Sequence, residues 1–182
     1  MEYQDILDFW FEDLTSAQWF TKDVQLDAYI AAHFGDMHAA VTKGETYAWR
    51  ATIQGRLAEI IVLDQFSRNL FRNDPRAYAY DGMALVLAQE ACLQAEIHEL
   101  PTVQRAFIYM PFMHSESLKI HQKAVEYFSK PGMESFLEAE KLHYQMLEAF
   151  GRYPHRNDVL ARASTPEEIK YLKETTLHFE GH

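Results

Sequence analysis

A chain of 182 residues fits one domain with a single core. A hydrophobic share of 48% and a charged share of 24% suit a folded globular protein, and 14% aromatics argue against disorder. A formal net charge of −10 disfavours binding to phosphate backbones, so nucleic acid is not expected as a partner.

Cys92 is the sole cysteine, so no internal disulfide can form, and a reducing cytoplasm is the expected location. The opening Met1-Glu2-Tyr3-Gln4-Asp5 lacks the basic and apolar regions of a signal peptide. Apolar runs such as Ile60-Ile61-Val62-Leu63 are too short to span a bilayer, and no membrane partner is expected. Only 7 Gly and 6 Pro are present, which favours helices over a many-stranded fold.

Taken in order, Tyr3 to Phe11 places Ile6, Leu7, Trp10 and Phe11 on one helical stripe. Thr15 or Ser16 can cap a short helix carrying Trp19 and Phe20. A long helix runs from Lys22 to about Lys43 and stops at Gly44. Thr52 reads as the N-cap of a helix from Ile53 to Phe66, whose apolar middle makes it the expected central helix. Asp74-Pro75 breaks the chain, and Tyr80 or Asp81 opens a helix to about Glu99. Pro101 starts the next helix, which Pro111 is expected to break or kink. His114 to Lys130 then forms a helix ended by Pro131-Gly132. Glu134 to Phe150 is amphipathic and capped by Gly151. Asn157 can cap a short helix from Asp158 to Arg162. Thr165-Pro166-Glu167-Glu168 is a capping box with proline at N1, which starts the last helix. The tail after Thr175 is expected to fray. Period-2 alternation is missing, so the chain reads as one all-α domain of about nine helices.

Three polar clusters stand at helix boundaries. The first is Asp64-Gln65-Phe66-Ser67-Arg68-Asn69-Leu70-Phe71-Arg72, followed by Arg76 and Asp81. In it Asp64, Arg68 and Arg72 are four apart and share a helical face. Charges on a buried helix need a partner or a wet cavity. The second is His114-Ser115-Glu116-Ser117, read as a helix N-terminus suited to an anion. The third is Gly151-Arg152-Tyr153-Pro154-His155-Arg156-Asn157. Residues 64–76 and 151–162 hold six of the nine arginines, and arginine clusters grip carboxylate or phosphate bidentately.

Metal chemistry is weakly signalled, and no cofactor is expected. Glu140-Lys141-Leu142-His143 has the Glu-x-x-His spacing of di-iron bundles, but in one copy only. His114 and His121 lie seven apart, about 10 Å along a helix, too far to share an ion. A mixed site from His114, Glu116 and His155 is the one arrangement left open. Cys92 sits in an apolar helix and reads as a core residue. Trp10, Trp19, Trp49, Phe20 and Phe34 fall mostly at core spacing, though they could floor a groove.

Four segments occur in order: Leu63-Asp64-Gln65-Phe66-Ser67-Arg68-Asn69, Met110-Pro111 with His114-Ser115-Glu116, Phe150 to Asn157, and Ser164 to Glu168. Together they resemble the bacterial family catalogued as "domain of unknown function 924". The resemblance spans nearly the whole chain. It implies an all-α, tetratricopeptide-like α–α superhelix and implies no activity. Ser67 stands where that pattern usually has proline, and Asn73 and Ala161 where it usually has glycine.

The resulting expectation is one polar pocket that binds an anionic small molecule or an acidic peptide end. Asp64, Gln65, Arg68, Asn69, Arg72, Asp81, His114, Ser115, Glu116, Arg152, His155, Arg156 and Asn157 are its candidate residues. If chemistry occurs there, His114 or His155 is the acid/base candidate, with Glu116 or Asp64 orienting the ring. Two alternatives stand beside it: a superhelical interaction module with a broad aromatic groove, and clusters that only tie helices together.

Overall fold

The structure, a computed structural model, describes residues 1–175. The proposed fraying after Thr175 lies outside the described residues. Among those residues every regular element is helical: α1 (Tyr3–Asp8), α2 (Val24–Thr42), α3 (Ile53–Ile61), α4 (Ser67–Leu70), α5 (Asp81–Cys92), α6 (Thr102–His114), α7 (Leu118–Phe128), α8 (Glu134–Phe150) and α9 (Pro166–Glu174). Shorter 3₁₀ and π segments join them.

Local chemistry sets most boundaries. Asp23 accepts hydrogen bonds from the N–H groups of Gln25 and Leu26 and so starts α2. Thr52 does the same for Gly55 at the head of α3. Thr165 and Glu168 form the reciprocal capping box of α9. Gly44 and Gly151 stop α2 and α8 with φ of 74° and 69°, left-handed values that cost glycine nothing.

Helices α3 and α4 are one rod, joined by a π-turn over Val62–Phe66. Every residue from Leu57 to Arg68 is buried, so this rod is the central element. It packs on α1, α5 and α6, while α2 lies along the π-turn and α4. Helices α6, α7 and α8 then stack in sequence. The main core includes Trp10, Phe34, Leu57, Ile60, Leu63, Phe66 and Phe107, and a satellite cluster of Met146, Leu147 and Tyr153 underlies the C-terminal segment. Trp19, Phe20 and Trp49 are half-buried against the main core. Cys92 is half-buried too, and burial pushes its thiol up to about 11, away from nucleophile chemistry.

Four boundaries differ from the sequence reading. Helix α5 ends at Cys92, and a 3₁₀ turn over Ala95–Glu99 replaces its expected last turns. Helix α6 runs through Pro111 to His114. Proline forfeits one ladder bond, a cost of about 3 kcal/mol, but every residue from Ala106 to His114 is buried and packing holds the helix together. Consequently His114 closes α6 instead of opening α7, which begins at Leu118. The 158–162 segment is a turn, not a helix, and Asn157 is buried with its side chain engaged elsewhere.

Among the described residues, Asn73 and Ala161 are the non-glycine residues with positive φ, at 62° and 52°. A left-handed backbone favours glycine at both, as the resemblance leads one to expect, since a Cβ costs about 1–2 kcal/mol there.

Candidate functional site: an arginine-floored cleft beside α5 and α6

The polar residues of α3 and α4 would be costly in the core without partners. The main one is Asp81, at the first turn of α5. Its two oxygens accept from Arg68 Nη1 and Nη2 at 2.9 and 3.1 Å, a bidentate pair. Arg156 reaches the same carboxylate from the C-terminal segment, with Nη1 at 3.4 Å. One carboxylate thus joins two guanidiniums that are each about 5% exposed. Burial pushes the Asp81 carboxyl up, and Arg68 and Arg156 offset this only in part. Burial lowers Arg156, opposed by Asp81.

Tyr78 lies under both cations. Its ring centroid is 5.4 Å from the Arg68 guanidinium carbon and 4.5 Å from that of Arg156. Tyr153 faces Arg156 at 4.7 Å. Arg156 also donates through Nη2 to the His114 carbonyl at 3.0 Å. Its Nε–H is buried without an acceptor.

The second arm of the cluster is His114. Its Nδ1 lies 2.7 Å from Asp64 Oδ1, and Gln65 Nε2 donates to Asp64 Oδ2 at 2.6 Å. Burial lowers the His114 pKa well below its ordinary value, and the nearby Arg68 and Arg156 lower it further. The ring is therefore neutral at pH 7, and its Nδ1–H donates to the carboxylate.

A cleft of about 310 Å³ opens onto these groups. Its polar lining comes from Asp81, His114, Ser115, Glu116 and Arg156, and its apolar walls from Pro75, Leu85, Pro111 and Leu160. Glu116 is held by Arg162 at 2.7 and 2.9 Å and accepts from the Tyr153 N–H at 2.7 Å. Burial raises its carboxyl, but the Arg162 and Tyr153 hydrogen bonds outweigh this and hold it below the usual range.

Of the predicted residues, Asp64, Gln65, Arg68, Asp81, His114 and Arg156 meet in one network, and Ser115 and Glu116 line the same cleft. Others go elsewhere. Asn69 and Arg72 both bind Asp27 of α2, at 2.8 and 2.7 Å. Helix α4 ends at Leu70, so Arg72 leaves the helical face it was expected to share with Arg68. Arg152 pairs with Glu168 at 2.7 Å and with the Ala163 carbonyl. The Arg152 hydrogen bonds are the largest of several that bring Glu168 down to about 2. Asn157 ties together Ser164, Glu168 and Arg162. His155 lies against Tyr153, with ring centroids 5.5 Å apart and planes tilted by 33°, and is half-buried.

Sequence reasoning missed Tyr78, Tyr153 and the buried pair behind the cleft. His121 Nδ1 lies 2.6 Å from Glu140, and His121 Nε2 lies 2.7 Å from the Ser115 carbonyl and 2.9 Å from the Tyr153 hydroxyl. Burial raises the Glu140 carboxyl, opposed by His121. The Glu-x-x-His spacing was visible, but Glu140 serves His121, and His143 Nδ1 turns to the Ala139 carbonyl. Among the described residues, no three His, Cys, Asp or Glu side chains gather as a metal site, including His114, Glu116 and His155. No helix among them is long and apolar enough to cross a membrane.

Comparison with known proteins agrees with the fold. No curated protein matches the sequence. A solved structure of a protein of unknown function from Agrobacterium tumefaciens, ATU0120, superposes with a TM-score of 0.90 at 36% identity, covering 95% of this chain and 97% of that one. A family model described as "bacterial protein of unknown function (DUF924)" matches residues 6–176. With nearly its whole length matched, the chain belongs to the DUF924 family.

Proposed function

We propose that the cleft between α5, the end of α6 and the 154–160 segment binds a small anionic molecule, with Arg156 as the group that holds it. The observation that carries this reading is the arrangement of Arg68, Asp81 and Arg156. Asp81 is already satisfied by the bidentate Arg68 pair. Arg156 shares it only through a long 3.4 Å contact and lines the cleft. A carboxylate from outside can therefore take Arg156 without orphaning Asp81. The N-terminus of α5 adds to this, since Asp81 and Gly82 border the cleft and the Tyr80 side chain does not cap the helix.

A volume of about 310 Å³ sits at the small end of the ligand-pocket range, which favours a small molecule over a peptide end. Binding, not catalysis, is proposed, because His114 is buried, and burial with the nearby Arg68 and Arg156 holds its pKa well below the ordinary value and makes it a weak base. The interaction-module reading calls for a broad aromatic groove: Trp10 and Phe34 are core residues, while Trp19 and Phe20 line an apolar groove of about 410 Å³ together with Met110, Met113 and Phe136.

The test is a thermal-shift titration of the full chain with acetate, succinate and inorganic phosphate at constant ionic strength. Wild type should gain melting temperature in a saturable manner with at least one of them. Arg156→Lys keeps the charge but loses the planar fork, and should lose most of that gain while retaining the helical circular dichroism. An equal response in both proteins, or none in either, contradicts the proposal.

A further inference from the structure

Resting on that anion-binding reading, we infer that the ligand is a monocarboxylic acid with an apolar body, not a phosphate. Two observations carry this beyond a generic anion site: the charge around the cleft and the chemistry of its walls.

The charge argument is a count. Three guanidiniums stand in or beside the cleft: Arg68, Arg156 and Arg162. Three carboxylates face them: Asp64, Asp81 and Glu116. The formal sum is zero, so no surplus positive field is present to hold a dianion. Of the cleft's own lining, one side chain is a cation, Arg156, and two are carboxylates, Asp81 and Glu116. Phosphate sites gather several N–H donors and cations around three oxygens. Here one planar fork with limited free valence matches two carboxylate oxygens. A second negative charge on the ligand would meet Asp81 and Glu116 at close range.

The walls supply the rest. Pro75, Leu85, Pro111 and Leu160 line the same cleft and have no hydrogen-bonding side-chain atoms. Leu85 and Leu160 are only half-buried in the protein, so each has apolar surface left to cover. A ligand that put a hydroxyl or charge there would lose water contacts and gain none. An alkyl or aryl body there removes apolar surface from water on both sides.

The experiment titrates the full-length protein with acetate, hexanoate, hexylamine and inorganic phosphate by calorimetry. Burying at least two of the four extra methylenes should make hexanoate bind about tenfold or more tighter than acetate. Phosphate and hexylamine should show no saturable binding. The rim variant Leu160→Asn should shrink the hexanoate advantage over acetate severalfold. If acetate and hexanoate bind alike, or phosphate binds as tightly as hexanoate, the carboxylic-acid assignment is overturned while the anion site stands. If none of the three anions binds, the anion site falls with it.

Discussion

Replacing Asp81 by asparagine keeps the side-chain shape and removes the charge that joins Arg68 to Arg156. The consequence follows from burial. The side chains of Arg68 and Arg156 are about 5% exposed, and Asp81 is 17% exposed. Removing one partner of a buried ion pair leaves uncompensated charge and costs about 3–5 kcal/mol. Here one substitution strands two guanidiniums, although the introduced amide oxygen can still accept one hydrogen bond from Arg68. In a domain of this size the melting temperature should fall by on the order of 10 °C. Two controls grade the argument. Asp27→Asn breaks the Arg72 pair, in which the side chains are 20% and 16% exposed, and should cost less. Asp74→Asn breaks the solvent-exposed Arg76 pair and should leave stability essentially unchanged. Urea denaturation followed by circular dichroism measures all three. Because Asp81 is a carboxylate in the place a ligand would compete for, formate should restore part of the Asp81→Asn loss, and chloride at equal ionic strength should not. A loss at Asp81 no larger than that at Asp74 would refute the reasoning about the buried network.

Further outcomes follow from the backbone and from protonation. Ala161→Gly should stabilise by about 0.5–1 kcal/mol in urea melts, since it relieves a φ of 52° and the position is exposed. Gly55→Ala should destabilise by at least about 2 kcal/mol, because its Cβ would fall 2.0 Å from the Trp49 carbonyl oxygen. Gly35→Ala, in mid α2 with open space around it, should instead gain about 0.5–1 kcal/mol. Stability should fall as pH drops from 7 to 5. Burial lowers His38 and His143 to about 4, so below the unfolded value near 6.5 the unfolded chain takes up protons that the folded one refuses. Each contributes a loss of about 2 kcal/mol at pH 5, and His114 adds to it in the same direction. Glu140, raised by burial, works the other way. Urea midpoints that stay flat between pH 7 and 5 would contradict the neutral buried histidines.

What could be read from the sequence was local. Thr52, Gly44, Gly151 and the Thr165–Glu168 box declare their roles through contacts within four residues, so their spacing is enough. The apolar run in residues 57–63 declares a buried helix for the same reason. Pro111 misled because its local cost is outweighed by packing on all sides of α6, which sequence spacing does not report. His114 was consequently placed at the wrong end of a helix. Asn157 is a good cap by residue type, but Glu168, Ser164 and Arg162 occupy its side chain. Arg72 is separated by 45 residues from its partner Asp27, and nothing local could have paired them. In the site, the polar types at helix ends pointed to Asp64, Arg68, Asp81, His114 and Arg156. Tyr78 and Tyr153 carry no local signal for this role, because only the fold sets their rings against Arg156.

The central claim is that the cleft holds a carboxylate on Arg156. Diffraction from crystals soaked with a bromine-tipped hexanoate tests it most directly, because bromine scatters anomalously and locates the apolar end independently of the carboxylate. The account predicts a bromine peak between Leu85 and Leu160, with the carboxylate within hydrogen-bonding distance of the Arg156 guanidinium. Bromine density elsewhere on the molecule, with the Arg156 cleft unchanged at saturating ligand, would contradict it.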